Sequence, residues 1–294
     1  MIKEILKGGI NLVRKNKKFI ILLWGTNITL SLVLTIPIFS VLLDNLQHSL
    51  LSDKLALNFN YLWYLQFRHL YQSLFDKLPL LFYSVVGVNL FIQTFYSGGL
   101  LAVFNNPNKN HISDFFYGGV KYWYRFMKVA IISSLLFIVI FEIDNIFAEW
   151  NAWFLEDLNS ISLDLTVRSI RYIFLLLLIA ALTIITDYVE VYLALRDQTK
   201  VRKGFAETFK FIKGRAVLIF SVFMIVSVIG ALGAVFYNII VIYVPASPFY
   251  FLILTFFLQQ LLIIFRLSIT MLFQATEVYL FKDQDAEVIT DLED

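Results

Sequence analysis

The sequence has no cysteine, and only three of its 294 residues are histidine. Without cysteine there is no disulfide framework, no thiolate metal site and no cysteine nucleophile. The three histidines, His48, His69 and His111, lie too far apart along the chain to show the spacing of metal ligands. We therefore expect neither a bound metal nor a cofactor.

Charged residues are also scarce. They make up 16% of the chain and hydrophobic residues 59%, against about 25% and 45–50% in ordinary soluble domains. A single soluble core stops growing at about this length, so it could not bury so much apolar surface. The composition therefore predicts an integral membrane protein, and it excludes a disordered chain, a coiled coil and a collagen.

Six apolar segments are long enough to cross a bilayer, which takes about 20 residues of helix. They are residues 19–43, 80–104, 122–141, 172–195, 216–244 and 249–281. The first segment is too long for the apolar region of a cleaved signal peptide, and no small-residue cleavage site follows it. We therefore expect an all-α protein with six transmembrane helices in three hairpins, beginning with an uncleaved anchor.

Basic residues are distributed unevenly between the two sets of loops. Seventeen of them lie in residues 1–18, 105–128 and 196–215, whereas the opposite loops hold five. The positive-inside rule places the more basic loops in the cytoplasm. This predicts a multi-pass protein of the inner (cytoplasmic) membrane with both termini in the cytoplasm and an acidic cytoplasmic tail at 282–294.

A glycine-centred pattern precedes each odd-numbered span. Gly9, Gly119 and Gly204 each have a basic residue six and nine positions later, followed by an apolar span. Apolar residues at helical spacing, with bases on the other face, are typical of a helix that lies in the membrane interface. We interpret the chain as one membrane domain, 1–294, of three repeats, each a basic interfacial helix followed by a hairpin. The repeats would span residues 1–104, 112–195 and 199–281. The alternative is that basic loops and periodic apolar residues occur in membrane proteins generally.

The basic residues of this pattern are candidates for contact with anionic lipid headgroups. Basic patches are also found in nucleic-acid-binding proteins. Because membrane anchors lie beside these patches, we expect lipid and not nucleic acid as the partner. The residues concerned are Lys15, Lys18, Arg125, Lys128, Lys210 and Lys213.

Polar side chains form helical stripes on the three even-numbered spans, which suggests that these spans meet around a polar interior. Charge inside a membrane is costly and usually faces a partner or a water-filled cavity. The stripes leave two explanations open, a structural hydrogen-bond clamp and a site for a substrate or proton. By depth Arg266 lies nearer Asn89 than Asp187, so an amide is its expected first neighbour. The stripes contain Asn89, Gln93 and Ser97 in the second span, Asp187 and Glu190 in the fourth, and Arg266, Thr270, Gln274 and Glu277 in the sixth.

No catalytic motif is present: the sequence contains no phosphate-binding P-loop, no HExxH zinc motif and no GxSxG nucleophile elbow. The glycine pairs at 98–99 and 118–119 are too sparse for a phosphate loop, and helix packing explains them better. We therefore expect no enzymatic activity.

Three segments carry a resemblance to known proteins: GINLVRKN at 9–16, FFYGGVKY at 115–122 and FAETFKFI at 205–212. With the six spans that they precede, they resemble a group of bacterial six-span membrane proteins. That group includes the membrane module of some glycerophosphoryl diester phosphodiesterases. The resemblance implies a six-span fold over nearly the whole chain. The catalytic domain of those enzymes is absent here, so the resemblance implies no catalytic residue.

These patterns favour a non-enzymatic scaffold or accessory protein that contacts anionic lipid, and they leave open whether it also binds a protein partner. The first alternative is a transporter or lipid translocator that uses the polar interior between spans 2, 4 and 6. A membrane enzyme is the second alternative, since irregular membrane sites need not show a motif.

Overall fold

The computed structural model describes residues 1–46, 54–55, 60–106, 112–155, 161–245 and 250–290, and within these ranges the chain is helical with no strand. Eight helices of this part of the chain follow one another: α1 (Ile2–Lys15), α2 (Lys18–Leu46), α3 (Tyr61–Leu70), α4 (Gln72–Asn105), α5 (Ile112–Leu155), α6 (Ile161–Leu195), α7 (Val201–Ile242) and α8 (Tyr250–Thr290). The predicted all-α fold is therefore confirmed.

Six of the described helices, α2 and α4 to α8, are long and apolar enough to cross a membrane. In the most apolar stretch of each, only 6% to 22% of the residues are buried inside the protein. Large apolar side chains such as Leu80, Ile131 and Phe236 are exposed. So much exposed apolar surface is stable in lipid and not in water. The predicted multi-pass membrane protein with six spans is confirmed.

The chain divides into two compact units. Unit 1 contains Met1–Leu12, Thr94–Met224 and Phe273–Asp294, and unit 2 contains Val13–Gln93 and Ile225–Leu272. Helices α5 and α6 belong to unit 1, and α2 and α3 belong to unit 2. Helices α1, α4, α7 and α8 each contribute residues to both units, so neither unit is a continuous stretch of sequence.

The three segments predicted as interfacial helices join their spans in different ways. Helix α1 is separate, because a turn at residues 16–17 divides it from α2. Helix α7 has non-helical backbone angles at Arg215 (φ −134°, ψ 21°), next to Gly214, a residue of low helix propensity. Helix α5 runs from Ile112 to Leu155 and continues directly into its span. The threefold repeat therefore stays a prediction.

In unit 1 two glycine pairs allow α4 and α5 to pack closely. A Cβ atom on Gly99 would lie 2.7 Å from the carbonyl oxygen of Phe115, and one on Gly118 would overlap the side chain of Ala102. These separations are far shorter than van der Waals contact, so neither position has room for a side chain. The glycine pairs serve helix packing, as the sequence suggested.

The segment predicted as an acidic tail begins within α8, which extends to Thr290. The Lys282 Nζ donates to the carbonyl oxygen of Asn105 at 2.7 Å, and the Gln284 Oε1 accepts from the Arg215 Nε at 2.7 Å. Lys282 and Gln284 are therefore packed, because their side chains satisfy groups of neighbouring helices. Residues 291–294 lie outside the described residues.

Helix α1 packs against this same end of α8 within unit 1. A Cβ atom on Gly8 would lie 2.6 Å from the Cδ2 of Tyr279, so the tyrosine ring covers the glycine. Ile5 and Gly9 are the buried residues of α1. One face of α1 is thus attached to the protein.

Candidate functional site

The polar stripes of α4, α6 and α8 meet in unit 1. The Ser97 Oγ donates a hydrogen bond to the Glu190 Oε2, and the Gln274 Nε2 donates to the Ser97 Oγ at 3.0 Å. One serine hydroxyl therefore links three spans in a single hydrogen-bonded chain. The position of Ser97 follows from helical spacing, since it lies four residues after Gln93 and therefore on the same face of α4.

Three carboxyl groups, Asp187, Glu190 and Glu277, lie near this junction, and we call them the carboxyl cluster. Glu277 is only 5% exposed and interacts electrostatically with the other two. Its Oε2, like the Oε1 of Gln274, is buried without a hydrogen-bond partner among the described residues. Carboxyl groups at close range disfavour one another's charged form, and a buried acceptor without a donor costs free energy. The cluster is therefore an unfavourable arrangement within the fold.

The geometry of the carboxyl cluster does not fit a metal. Across the described residues, no three His, Cys, Asp or Glu side chains are placed so that they could hold a metal ion. The cluster therefore offers hydrogen-bond acceptors, and its donors are Ser97 and Gln274.

Arg266 lies in unit 2, where it lines a cavity of about 570 Å³ between α2, α4 and α8. We call this space the Arg266 cavity. Apolar residues Ile28, Ile263 and Leu267 also line it, and no acidic residue is among the described lining side chains. The other polar lining residues are Asn27, Ser31, Asn89, Gln93, Gln260 and Thr270.

The structure brings together Arg266, Asn89, Gln93 and Thr270 of the predicted polar stripes. Asp187, the other predicted neighbour of Arg266, belongs to unit 1. Sequence reasoning missed the contribution of α2, because only the even-numbered spans were expected to be polar. The signal was present, since Asn27 and Ser31 are four residues apart on one helical face.

Hydrogen bonds inside unit 2 fix several of these side chains. The Trp24 Nε1 donates to the Gln260 Oε1 at 3.0 Å, which leaves the amide nitrogen of Gln260 available to the cavity. The Ser31 and Thr270 hydroxyls donate to backbone carbonyl oxygens of their own helices. Arg266 is an exposed residue, and its guanidinium makes no hydrogen bond or ion pair to any described residue.

The predicted lipid-contact residues differ in accessibility. Five of the six are exposed: Lys15, Lys18, Lys128, Lys210 and Lys213. The side chain of Arg125 is only 16% exposed, and it donates to the Asp197 Oδ1 at 2.8 Å and to the carbonyl oxygen of Gln198 at 3.2 Å. Arg125 is therefore held in an ion pair within the protein, and its contact with lipid headgroups stays a prediction.

Asp197 receives these contacts because it ends α6 in an unusual conformation. Its φ is 47°, and the N–H of the next residue, Gln198, donates to the carbonyl oxygen of Leu193 at 3.1 Å, which is the hydrogen bond of a Schellman cap. Lys121 pairs with Asp197 at 2.9 Å. Hydrogen bonds from Lys121 and then Arg125 hold the pKa of Asp197 below its ordinary value. Asp197 thus joins the end of α6 to α5.

The chain matches no protein family, no curated protein and no solved structure. Its function is therefore argued from the geometry of its own residues. Three features bear on that function: the exposed bases beside the spans, the Ser97 junction with its carboxyl cluster, and the Arg266 cavity.

Proposed function

We propose that the protein is a non-enzymatic scaffold or accessory protein that contacts anionic lipid headgroups through exposed bases. Helix α1 carries this proposal. Its Ile5 and Gly9 are buried, while all six bases of residues 1–18 are exposed: Lys3, Lys7, Arg14, Lys15, Lys17 and Lys18. A helix attached by one face, with its bases exposed, is suited to bind a negatively charged membrane surface. Membrane lipids are the proposed partner, and nucleic acid is not.

The basic segments also support a location in the inner (cytoplasmic) membrane with both termini in the cytoplasm. Reporter fusions after Ser49 and after Glu156 should therefore report the periplasm, and a fusion after Lys200 should report the cytoplasm. Bases are retained on the cytoplasmic side during insertion, which is the physical reason for this expectation. A cytoplasmic signal after Ser49 or Glu156 would contradict the proposed orientation.

Replacing Lys15, Lys18, Lys210 and Lys213 together by glutamine should weaken binding of anionic lipid by about 1 kcal/mol for each charge near the surface. The measurement is the gain in thermal midpoint when phosphatidylglycerol, and not phosphatidylcholine, is added to the detergent-purified protein. The same gain should shrink as salt concentration rises.

The matched control removes four bases from the opposite loops: Lys54, Arg68, Lys77 and Arg168 to glutamine. This control should keep most of the gain. An equal gain in the wild-type protein and in the variant that lacks Lys15, Lys18, Lys210 and Lys213 would refute lipid contact by the basic segments.

A second candidate function is a transporter or lipid translocator with a polar interior between spans 2, 4 and 6. The hydrogen-bonded junction of Ser97, Glu190 and Gln274 favours it, because these residues come from those three spans. The resemblance to six-span bacterial membrane proteins is compatible with both candidates, since it implies a fold and no catalytic residue.

A further inference from the structure

We infer that the Arg266 cavity binds an oxyanion, a phosphate or carboxylate group carried by a lipid headgroup or by a soluble small molecule. The cavity measures about 570 Å³, within the range of roughly 300–1,000 Å³ typical of small-molecule sites. This inference goes beyond the proposed lipid contact, which concerns the exposed bases beside the spans. The two depend on different residues, so each can fail without the other.

The depth of Arg266 makes its charge costly. The apolar helix around it extends from Tyr250 to Gln284. At 1.5 Å per residue, Arg266 lies about 24 Å from one end and about 27 Å from the other. A guanidinium so far from both ends of a span is stable only when an opposite charge or a polar cavity compensates for its lost hydration.

No acidic side chain supplies that opposite charge in the described part of unit 2. None of the cavity's lining residues is Asp or Glu. Along the lining helices, the nearest described acids of this unit are Asp44 and Asp76, about 20 Å of helix from Ser31 and Asn89 respectively. An anion that enters the cavity would bring a compensating charge directly to the guanidinium.

The donors around the cavity fit an oxyanion. A guanidinium presents a planar fork of N–H groups that matches two oxygens of a carboxylate or phosphate. The amide nitrogen of Gln260 is available because the Trp24 Nε1 occupies its oxygen. Asn27, Asn89 and Gln93 add further amide donors without adding negative charge. The apolar residues of the lining suit the hydrocarbon that adjoins such a headgroup.

Native mass spectrometry of the full chain in a neutral detergent tests this inference with phosphatidylglycerol as the probe and phosphatidylcholine as the reference. The experiment uses the variant lacking Lys15, Lys18, Lys210 and Lys213 as its background, which removes the proposed surface contacts. We expect one phosphatidylglycerol per chain to persist, with an apparent Kd raised about tenfold or more by Arg266→Gln, since charge-assisted paired hydrogen bonds are lost. Arg68→Gln, an exposed arginine of the same unit, is the matched control and should leave the Kd unchanged.

Competition separates the two sources of the oxyanion. Displacement of the bound lipid by glycerol phosphate or inorganic phosphate identifies a soluble ligand, and resistance to both identifies a lipid headgroup. Binding of inorganic phosphate that Arg266→Gln abolishes, in protein that holds no phosphatidylglycerol, also supports the site. Absence of binding by every probe, or a Kd that Arg266→Gln leaves unchanged, overturns the inference.

Two more variants allow the inference to be tested even if Arg266→Gln does not fold. Arg266→Lys keeps the charge and should retain part of the affinity, while Asn89→Leu keeps the volume and should lose affinity several-fold with its melting curve preserved. If Arg266→Gln does not fold, the other two variants decide. Binding of the probes by Arg266→Lys and by Asn89→Leu as tightly as by the background protein would then refute the site. Failure of the surface-lysine experiment, in contrast, would refute only the proposed lipid contact.

Discussion

Substitution of Gly99 by alanine is expected to lower the free energy of unfolding by about 1–3 kcal/mol, the usual cost of overpacking a well-packed site. The new Cβ would lie 2.7 Å from the carbonyl oxygen of Phe115, a backbone atom that cannot move without shifting α5. Unfolding of the full chain by SDS in mixed micelles measures the effect. Gly118→Ala, on the facing helix, should cost a similar amount.

The matched control is Gly87→Ala, because Gly87 lies on the same helix with nothing within 4 Å of an added Cβ. This variant should be neutral or slightly stabilising, since alanine has a higher helix propensity than glycine. Equal stabilities for the Gly99 and Gly87 variants would show that α4 and α5 do not pack through their glycines.

Substitution of Glu277 by glutamine is expected to raise the free energy of unfolding by about 1–3 kcal/mol, the usual cost of a buried polar group left without a partner. The side chain is 5% exposed, its Oε2 has no partner among the described residues, and two other carboxyl groups interact with it. Glutamine ends the electrostatic interaction with those carboxyl groups and supplies an amide donor in a side chain of nearly the same shape. The SDS unfolding curve should therefore shift to higher SDS.

Glu142→Gln is the control for this experiment, because Glu142 is exposed and should change stability by less than about 0.5 kcal/mol. A destabilised Glu277→Gln variant would mean that the carboxylate makes a net favourable contribution. A stabilised variant that also lost its role in the cell would show that the cost of the buried carboxylate is retained for function, as a transporter requires.

Composition was enough to predict the class of fold, because a chain so poor in charge has to place its apolar residues in lipid. Helical spacing was enough to group Asn89 and Gln93 with Arg266, since the alternatives at those depths are few. Helical spacing could not predict that Gln260 lines the same cavity. Which faces of α2 and α8 meet is decided by side-chain packing between segments far apart in sequence.

Arg125 shows a second limit of the sequence. It matched Lys15 and Lys210 in the repeat, so its position alone predicted lipid contact. The structure places Asp197 within 2.8 Å of it, through a cap geometry at the end of α6 that no charge count reveals. The pattern of bases also does not show how each segment joins its span. Helix α5 continues into its span without a break, whereas α7 bends at Arg215.

The packing of α1 against Tyr279 has a consequence for biosynthesis. Unit 1 joins residues 1–12 to residues from 273 onward, and a ribosome that adds about 5–20 residues per second takes roughly 15–50 s to pass from one to the other. Throughout that interval Ile5 and Gly9 have no tyrosine ring to cover them. The bilayer surface beside the growing chain is the nearest apolar environment for this helix, and the bases of α1 favour that location. Helix α1 is therefore expected to rest on the membrane first and to join unit 1 only after the sixth span has been synthesised.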